Sequence, residues 1–345
     1  MASGNEALTP RQLMSTADLA RNGTLPLTDD TTRNLWSCVD CRGCQSFCDH
    51  GNDVPRVLQT MRSTLVRQGH VPTFVQEIIH SFATTGTMPD RPLDDHPANL
   101  HLSSSQGALA RRAATVLFLG CQGSAQDPGP SLAALALARR HFGDVRVAPP
   151  LCCGHPLLRW GATAAHDAHV QALRAGLRGA TRIVADDPGC AHMLREVLKI
   201  NVVSTRSLLR PNDVAGSLTP LRAGRFGVQV LAVRSNSSVS PTELAQVVPH
   251  DACFSLRWLY EPSLRTLFPD APKGSILENQ AGCCGGMLLP FYDPELAQTV
   301  ARQRVEDLLA GGATRIATAS PTCRRRLRSV WNDVVDLVEI NQSYG

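Results

Sequence analysis

The 345-residue chain reads as an α/β protein, with an N-terminal helical segment followed by two copies of one α/β module. Cysteine recurrence and element alternation predict this. Cys121, then Cys152-Cys153-Gly154, then Cys190 are matched by Cys253, then Cys283-Cys284-Gly285-Gly286, then Cys323. Gaps of 30 and 29 residues precede the adjacent pair, and gaps of 36 and 38 follow it. T-R-I-V-A-D-D-P-G-C at 181–190 also matches T-R-I-A-T-A-S-P-T-C at 314–323. Self-similarity at matched offsets marks a duplicated module. Within each copy, short apolar runs alternate with helical patterns, which argues parallel strands joined by crossover helices.

Pro10–Asn22 and Thr28–Trp36 begin with polar caps and favourable first turns, and predict helices. Pro55–Arg67 and Thr73–Ala83 follow, with Val54, Leu58, Met61 and Leu65 at helical spacing. Residues 1–85 form this helical segment, and 86–112, rich in Pro, Ser and Asp, read as a linker. The first module, 113–210, offers strand Thr115–Leu119, helix Leu132–Phe142, strand Val145–Ala148, a long helix Pro156–Leu177, strand Arg182–Ala185 and helix Ala191–Leu198. A second linker at 211–225 leads to the second module, 226–345. That module offers strands Gly227–Val233 and Ser275–Glu278, a long helix Pro294–Ala310, strand Arg315–Thr318 and helix Arg324–Trp331. Segment Asn236–Pro249 has no counterpart in the first copy and reads as an insertion before His250-Asp251-Ala252-Cys253. In both copies the cysteines fall at carboxyl ends of predicted strands, where open α/β sheets place their ligands. Gly154, Gly285 and Gly286 are expected to let the backbone turn tightly beside them.

Cys38, Cys41, Cys44 and Cys48 read C-x2-C-x2-C-x3-C, a spacing that lets thiolates converge from one loop on a small iron–sulfur cluster. Zinc sites usually take two separated C-x2-C knuckles, and haem attachment needs His directly after C-x2-C. Arg42 and Gln45 occupy those places here. A disulfide framework fits neither the spacing nor a reducing compartment. Residues 1–37 hold no cysteine, so no second motif of this kind is present, and Asp49 stands where proline usually follows the fourth cysteine. The expectation is one 4Fe–4S cluster on Cys38, Cys41 and Cys44, with Cys48 as the fourth ligand. A remote thiol, a partner residue or solvent are the other sources of that ligand, and a 3Fe cluster is the other form. For the eight remaining cysteines, buried free thiols acting as small hydrophobes are the alternative. The doubled adjacent pair argues against it.

These motifs resemble the cysteine-rich CCG domain. That domain occurs in duplicate in the catalytic subunit of heterodisulfide reductase and in the iron–sulfur subunits of glycolate oxidase, anaerobic glycerol-phosphate dehydrogenase and the L-lactate utilisation system. L-W-S-C-V-D-C-R-G-C-Q-S-F-C, followed by a basic helix over 54–67, resembles the second half of the family's helical ferredoxin domain. The resemblance covers most of residues 30–330. It implies one or two further clusters, on Cys121, Cys152, Cys153 and Cys190 and on Cys253, Cys283, Cys284 and Cys323. The family's fullest motif ends in C-x2-C and holds a non-cubane 4Fe–4S cluster on five cysteines. Asp187 and Ser320 replace the first of that final pair, leaving four thiols per copy. Four suffice for one 4Fe–4S cluster, whereas Asp187 offers a harder oxygen ligand. Cys283-Cys284-Gly285-Gly286 follows the family pattern more closely than Cys152-Cys153-Gly154-His155, so the second copy is the better candidate holder. The family usually shows His-Asp-Pro-Cys where His250–Cys253 stand. His250 and His155 read either as donors behind a cluster or as exposed turn residues.

Reduced cysteines in this number imply a cytoplasmic protein. No apolar run approaches the ~20 residues that span a bilayer, and the N-terminus lacks a signal-peptide pattern. Any membrane association would come through a partner. Net charge +4, with four Trp and three Tyr, gives no nucleic-acid footprint. The dinucleotide, P-loop, nucleophile-elbow and H-E-x2-H motifs are missing from the sequence, so no cofactor beyond clusters is expected. Arg324–Arg326 reads as a solvated helix face, with docking of an acidic partner as the alternative. The expected role is an electron-transfer subunit between a flavoprotein dehydrogenase or other redox subunit and a quinone, ferredoxin or membrane-linked acceptor. A heterodisulfide-reductase-like catalytic subunit and an assembly scaffold with degenerate sites are the alternatives.

Overall fold

Apolar residues at helical spacing draw the N-terminal helices together. In the computed structural model, which describes residues 4–89, 113–122, 128–209, 246–268, 271–272 and 282–340, α1 (Pro10–Arg21) is capped by Thr9 and buries Leu13, Ala17 and Ala20. It packs on α3 (Val54–Arg67), which turns Leu58, Met61 and Leu65 inward. The helix expected over Thr28–Trp36 is instead a short α2 (Asp29–Thr32) followed by a 3-10 turn, Arg33–Trp36. The Thr31 and Thr32 hydroxyls bond back to the carbonyls of Pro26 and Thr28, and such local bonds compete with a continuing helix. α4 (Thr73–Thr85) ends where Gly86 adopts a left-handed conformation.

The first module is a parallel sheet of β1 (Thr115–Phe118), β2 (Val145–Val147), β3 (Arg182–Ala185) and β4 (Asn201–Ser204), ordered β2-β1-β3-β4. Val116, Leu117 and Phe118 are all fully buried, as expected for a parallel strand covered on both faces. Its helices are α5 (Pro128–Phe142), α6 (His155–Arg159), α7 (Thr163–Gly176) and α8 (Pro188–Leu198). The single long helix expected over Pro156–Leu177 is thus two helices. Gly161, at φ 81°, breaks it, and a Cβ there would lie 2.5 Å from the backbone of Arg62 and Ser63. The break lets α3 approach the module closely. β4 has no sequence expectation behind it. α8 begins earlier than expected because Asp187 caps it, accepting from the amides of Gly189 and Cys190.

In the second module β5 (Val247–Pro249), β6 (Arg315–Thr318) and β7 (Val334–Asp336) are parallel, ordered β5-β6-β7. Val247 aligns with Arg315 as Thr115 aligns with Arg182. The lone cysteine follows each strand at one offset, Thr115 to Cys121 and Val247 to Cys253. β5 is therefore the counterpart of β1, and reading Asn236–Pro249 wholly as an insertion is wrong for its last three residues. Two valines before a proline are a weak strand signal, and the longer apolar run Gly227–Val233 drew the assignment. That run, Ser275–Glu278, the 211–225 linker and residues 90–112 of the first linker lie outside the described residues. The helices are α9 (Cys253–Arg257), α10 (Leu289–Tyr292), α11 (Pro294–Leu309), α12 (Pro321–Arg328) and α13 (Leu337–Ile340). α12 also starts early, on a Ser320 cap. α13 packs on α5 of the other module. One apolar core runs between the sheets through Leu117, Leu119, Val184, Val247, Ala317 and Leu337.

Arg62 joins the helical segment to the first module. Fully buried, it donates to the carbonyls of Leu35 at 2.7 Å, Arg159 at 2.9 Å and Cys38 at 2.9 Å. Removing it leaves three acceptors without their donor, and a buried acceptor left unmet costs about 1–3 kcal/mol. Arg62→Ala should therefore cost about 3 kcal/mol or more, read as a lowered denaturant midpoint under reducing conditions. A midpoint matching wild type would show that the three carbonyls find other donors.

Candidate metal centre

The cysteine loop after the Arg33–Trp36 turn is held from three sides. Asp40 and Arg42 adopt positive φ, at 57° and 54°, so the chain coils around Cys41. Arg62 holds the Cys38 carbonyl from below. From the second module, Arg257 donates to the Cys41 carbonyl at 2.9 Å and Trp258 Nε1 to the Asp40 carbonyl at 2.8 Å. From the first, Arg159 pairs with the buried Asp40 carboxylate at 3.4 Å. Arg42 and Arg159 both lie over the Trp258 ring, at 3.4 and 4.5 Å from its centroid.

Cys41 and Cys48 act electrostatically on Cys44, and Cys41 acts on Cys38. Burial, then the Asp40 charge, pushes the Cys38 thiol up. Backbone amides of Asn52 and His50 pull Cys48 down. Nothing in the residue pattern signals that this loop meets the second module, yet the Cys41 thiol hydrogen-bonds to Cys283. That contact, ahead of burial, pushes Cys41 well above the usual thiol range.

In each module the cysteines form a run of pairwise contacts. Cys121 and Cys152 sulfurs are 3.5 Å apart, Cys152 contacts Cys153, and Cys153 contacts Cys190. In the second module Cys284 and Cys323 are 3.4 Å apart, and Cys283 contacts both Cys253 and Cys284. Cys121, Cys152, Cys153, Cys190, Cys284 and Cys323 are buried, whereas Cys253 and Cys283 are half-buried. Gly154 and Gly285, following the two cysteine pairs, both take positive φ, at 80° and 74°. They turn each pair back toward its sheet.

Asp187 and Ser320, standing where the family has cysteine, face each other. Ser320 Oγ donates to Asp187 Oδ2 at 3.0 Å and the Thr322 amide donates to the same oxygen at 3.3 Å. Asp187 Oδ1 meanwhile accepts from Gly189 at 2.8 Å, and Ser320 Oγ accepts from Cys323 at 3.3 Å. Both side chains are thus spent on helix caps and on each other. The equivalent ends of the two repeats meet there, so the cysteine loops open toward one interface rather than onto opposite surfaces. Nearby, burial and then the Asp187 charge push the Asp186 carboxyl well above the usual range.

Buried cations and histidines complete the surroundings. His250 is fully buried, which excludes the exposed-turn reading, and one of its ring nitrogens lies within 4.8 Å of the Cys284 and Cys323 sulfurs. Arg304 Nε donates to His250 Nδ1 at 3.2 Å. His155, also fully buried, accepts from Arg159 Nε at 3.2 Å through Nε2. Burial, then the adjacent guanidinium, pushes both rings well below the usual range, and likewise takes His192 down to about 3. Sequence reasoning missed Arg62, Arg159, Arg304 and Trp258. The signal available was an arginine inside an apolar helical stretch, as in H-P-L-L-R-W at 155–160. The Arg324–Arg326 run is not simply a solvated face, since Arg324 pairs with Glu339 at 3.3 Å and Arg326 donates to Gln298 at 2.9 Å.

The sulfur donors gathered in the two modules suit thiolate-held iron better than oxygen-preferring ions. An anionic cluster also suits the second set, where His250 Nε2 and Arg304 Nη1 are buried without a hydrogen-bond partner. Asp187→Ala should remove two cross-module bonds and a cap, each loss worth about 1–2 kcal/mol. Its unfolding midpoint should fall well below wild type, and Asp187→Asn, which keeps one oxygen, should lose less. Equal midpoints for all three proteins would remove Asp187 as the link.

The cysteine-rich CCG domain matches twice, over residues 115–195 and 249–328. One subunit of dihydromethanophenazine:CoB–CoM heterodisulfide reductase from Methanosarcina acetivorans is 25% identical over 329 residues, covering 85% of this chain and 72% of that protein. Its namesake from Methanosarcina mazei is 24% identical, covering 88% and 77%. One subunit of the CoM/CoB fumarate reductase of Methanothermobacter marburgensis is 23% identical, covering 85% of this chain and 57% of that protein. With the paired sulfur sets on the equivalent ends of two parallel sheets, the chain carries the cysteine-rich CCG domain in duplicate.

Proposed function

We propose that this chain is the iron–sulfur relay subunit of an oxidoreductase complex, passing electrons between a flavoprotein or other redox subunit and an acceptor such as a quinone or ferredoxin. Three units serve that reading: residues 1–85, 113–210 and 226–345. Their sulfur sets are Cys38, Cys41, Cys44 and Cys48; Cys121, Cys152, Cys153 and Cys190; and Cys253, Cys283, Cys284 and Cys323. Clusters held there would supply one-electron storage. The observation that carries the reading is that Arg257 and Trp258 of the second module donate to the Cys41 and Asp40 carbonyls at 2.9 and 2.8 Å, which sets the N-terminal loop directly against that module.

The protein's own side chains exclude water and fix geometry. Arg62 and Arg257 orient the loop carbonyls, Trp258 closes the junction between loop and modules, and the caps at Asp187 and Ser320 keep those two groups out of the sulfur sets. No helix among the described residues is long and apolar enough to cross a membrane, so contact with a membrane acceptor is assigned to a partner.

The names of the relatives favour a second reading, in which the second sulfur set acts directly on a disulfide. Anaerobically prepared protein should contain roughly twelve irons if each set holds four. Cys38→Ser should lose about a third of them, whereas Cys41→Ser should also disturb the second-module signal. Near-zero iron in a folded wild type would leave only the scaffold reading. Reduction of a disulfide by the isolated chain with an artificial electron donor would replace the relay by the reductase.

A further inference from the structure

The two modules balance the charge around their buried arginine–histidine pairs differently. In the second, Arg304 is only 2% exposed and interacts electrostatically with Cys284 and Cys323. Among the described residues it makes no ion pair. Asp251 and Asp307 also act on it, but Asp251 is engaged by Ser263 and the Leu264 amide, and Asp307 by Gln303. A guanidinium only donates, so its bond to His250 Nδ1 obliges the neutral ring to carry its hydrogen on Nε2. Among the described residues that Nε2 and Arg304 Nη1 are both buried without a hydrogen-bond partner, and sulfur atoms can accept from them.

The first module has the same device with its charge cancelled. Arg159 similarly fixes His155, but it is paired with Asp40, itself fully buried. Outside the cysteines, the group acting electrostatically on Cys190 is Asp187, which raises its thiol.

We propose that the second module is the higher-potential of the two CCG sites, because Arg304 and the His250 donor it orients favour the more negative, reduced state there. Electrons would settle beside Cys284 and Cys323 rather than beside Cys153 and Cys190. The inference rests on both modules holding clusters, as proposed above. The general reason is that hydrogen bonds to sulfur and nearby charge set cluster potentials. Arg304 is thus a positioning and charge-balancing residue, not a catalytic one.

The test is a redox titration of the full chain followed by EPR, with signals assigned by Cys153→Ser and Cys284→Ser. The second-module signal should titrate at the higher potential. Arg304→Gln should move it to lower potential at unchanged iron content and leave the first-module signal in place. Arg304→Lys, which keeps the charge, should move it less. A reversed order in wild type, or an unmoved signal in iron-replete Arg304→Gln, would overturn the proposal. The wild-type order decides the matter even if Arg304→Gln does not fold. Wild type with no iron in one module would overturn the two-cluster reading itself and this proposal with it, an outcome distinct from clusters present in the wrong order.

Discussion

The carboxylate of Asp187 is the constraint on which the arrangement of the modules depends. One oxygen closes the N-terminus of its own helix, and the other receives a hydroxyl and an amide from the opposite repeat. At 1% exposure, an ionised carboxylate is tolerable only with such donors around it. Because Ser320 holds the same position in its own copy, the bond joins repeat to repeat. The two positions where the wider family has a cysteine have here become structural. Both oxygen groups are already engaged in hydrogen bonds.

A second theme is the dry cation. Arg62, Arg159 and Arg304 are each at most 5% exposed, which costs free energy unless their donors are met. Arg62 spends its donors on three carbonyls and so acts as a strut. Arg159 is divided among Asp40, Gln59 and two histidines. Arg304 retains an unmet donor beside sulfur. Similar residues therefore do different work according to what neutralises them.

Much of this was legible in the chain. The doubled cysteine spacing identified the modules, and T-R-I-V-A and T-R-I-A-T located β3 and β6 to the residue, because a short run built on Ile-Val-Ala or Ile-Ala ahead of a capping Asp or Ser admits few other readings. Where the reading failed, tertiary approach had overridden local pattern. Gly161 has the look of a tolerated helix glycine, yet the Arg62 backbone lies against it. β5 was hidden because two valines and a proline make a strand only beside β6. The contact of Cys41 with Cys283 spans residues far apart in the chain, and no spacing rule carries that information.

If the thiols take up metal as proposed above, their raised protonation would let the metal-free chain hold its sulfurs uncharged. Contact with Cys283 and then burial raise Cys41 and Cys253, and burial raises Cys38 and Cys44. Without metal these groups keep their protons and pack as small hydrophobes, so the core needs no charge there. Taking up metal requires thiolates, hence release of those protons, and the apparent affinity must rise with pH across the range in which the free thiols would hold them. Once formed, the thiolate-held group is anionic, and its neighbours include the Arg304 guanidinium and the His250 ring, both dry and already in place. The side chains that are costly in the metal-free fold are the ones that match the charged, loaded state.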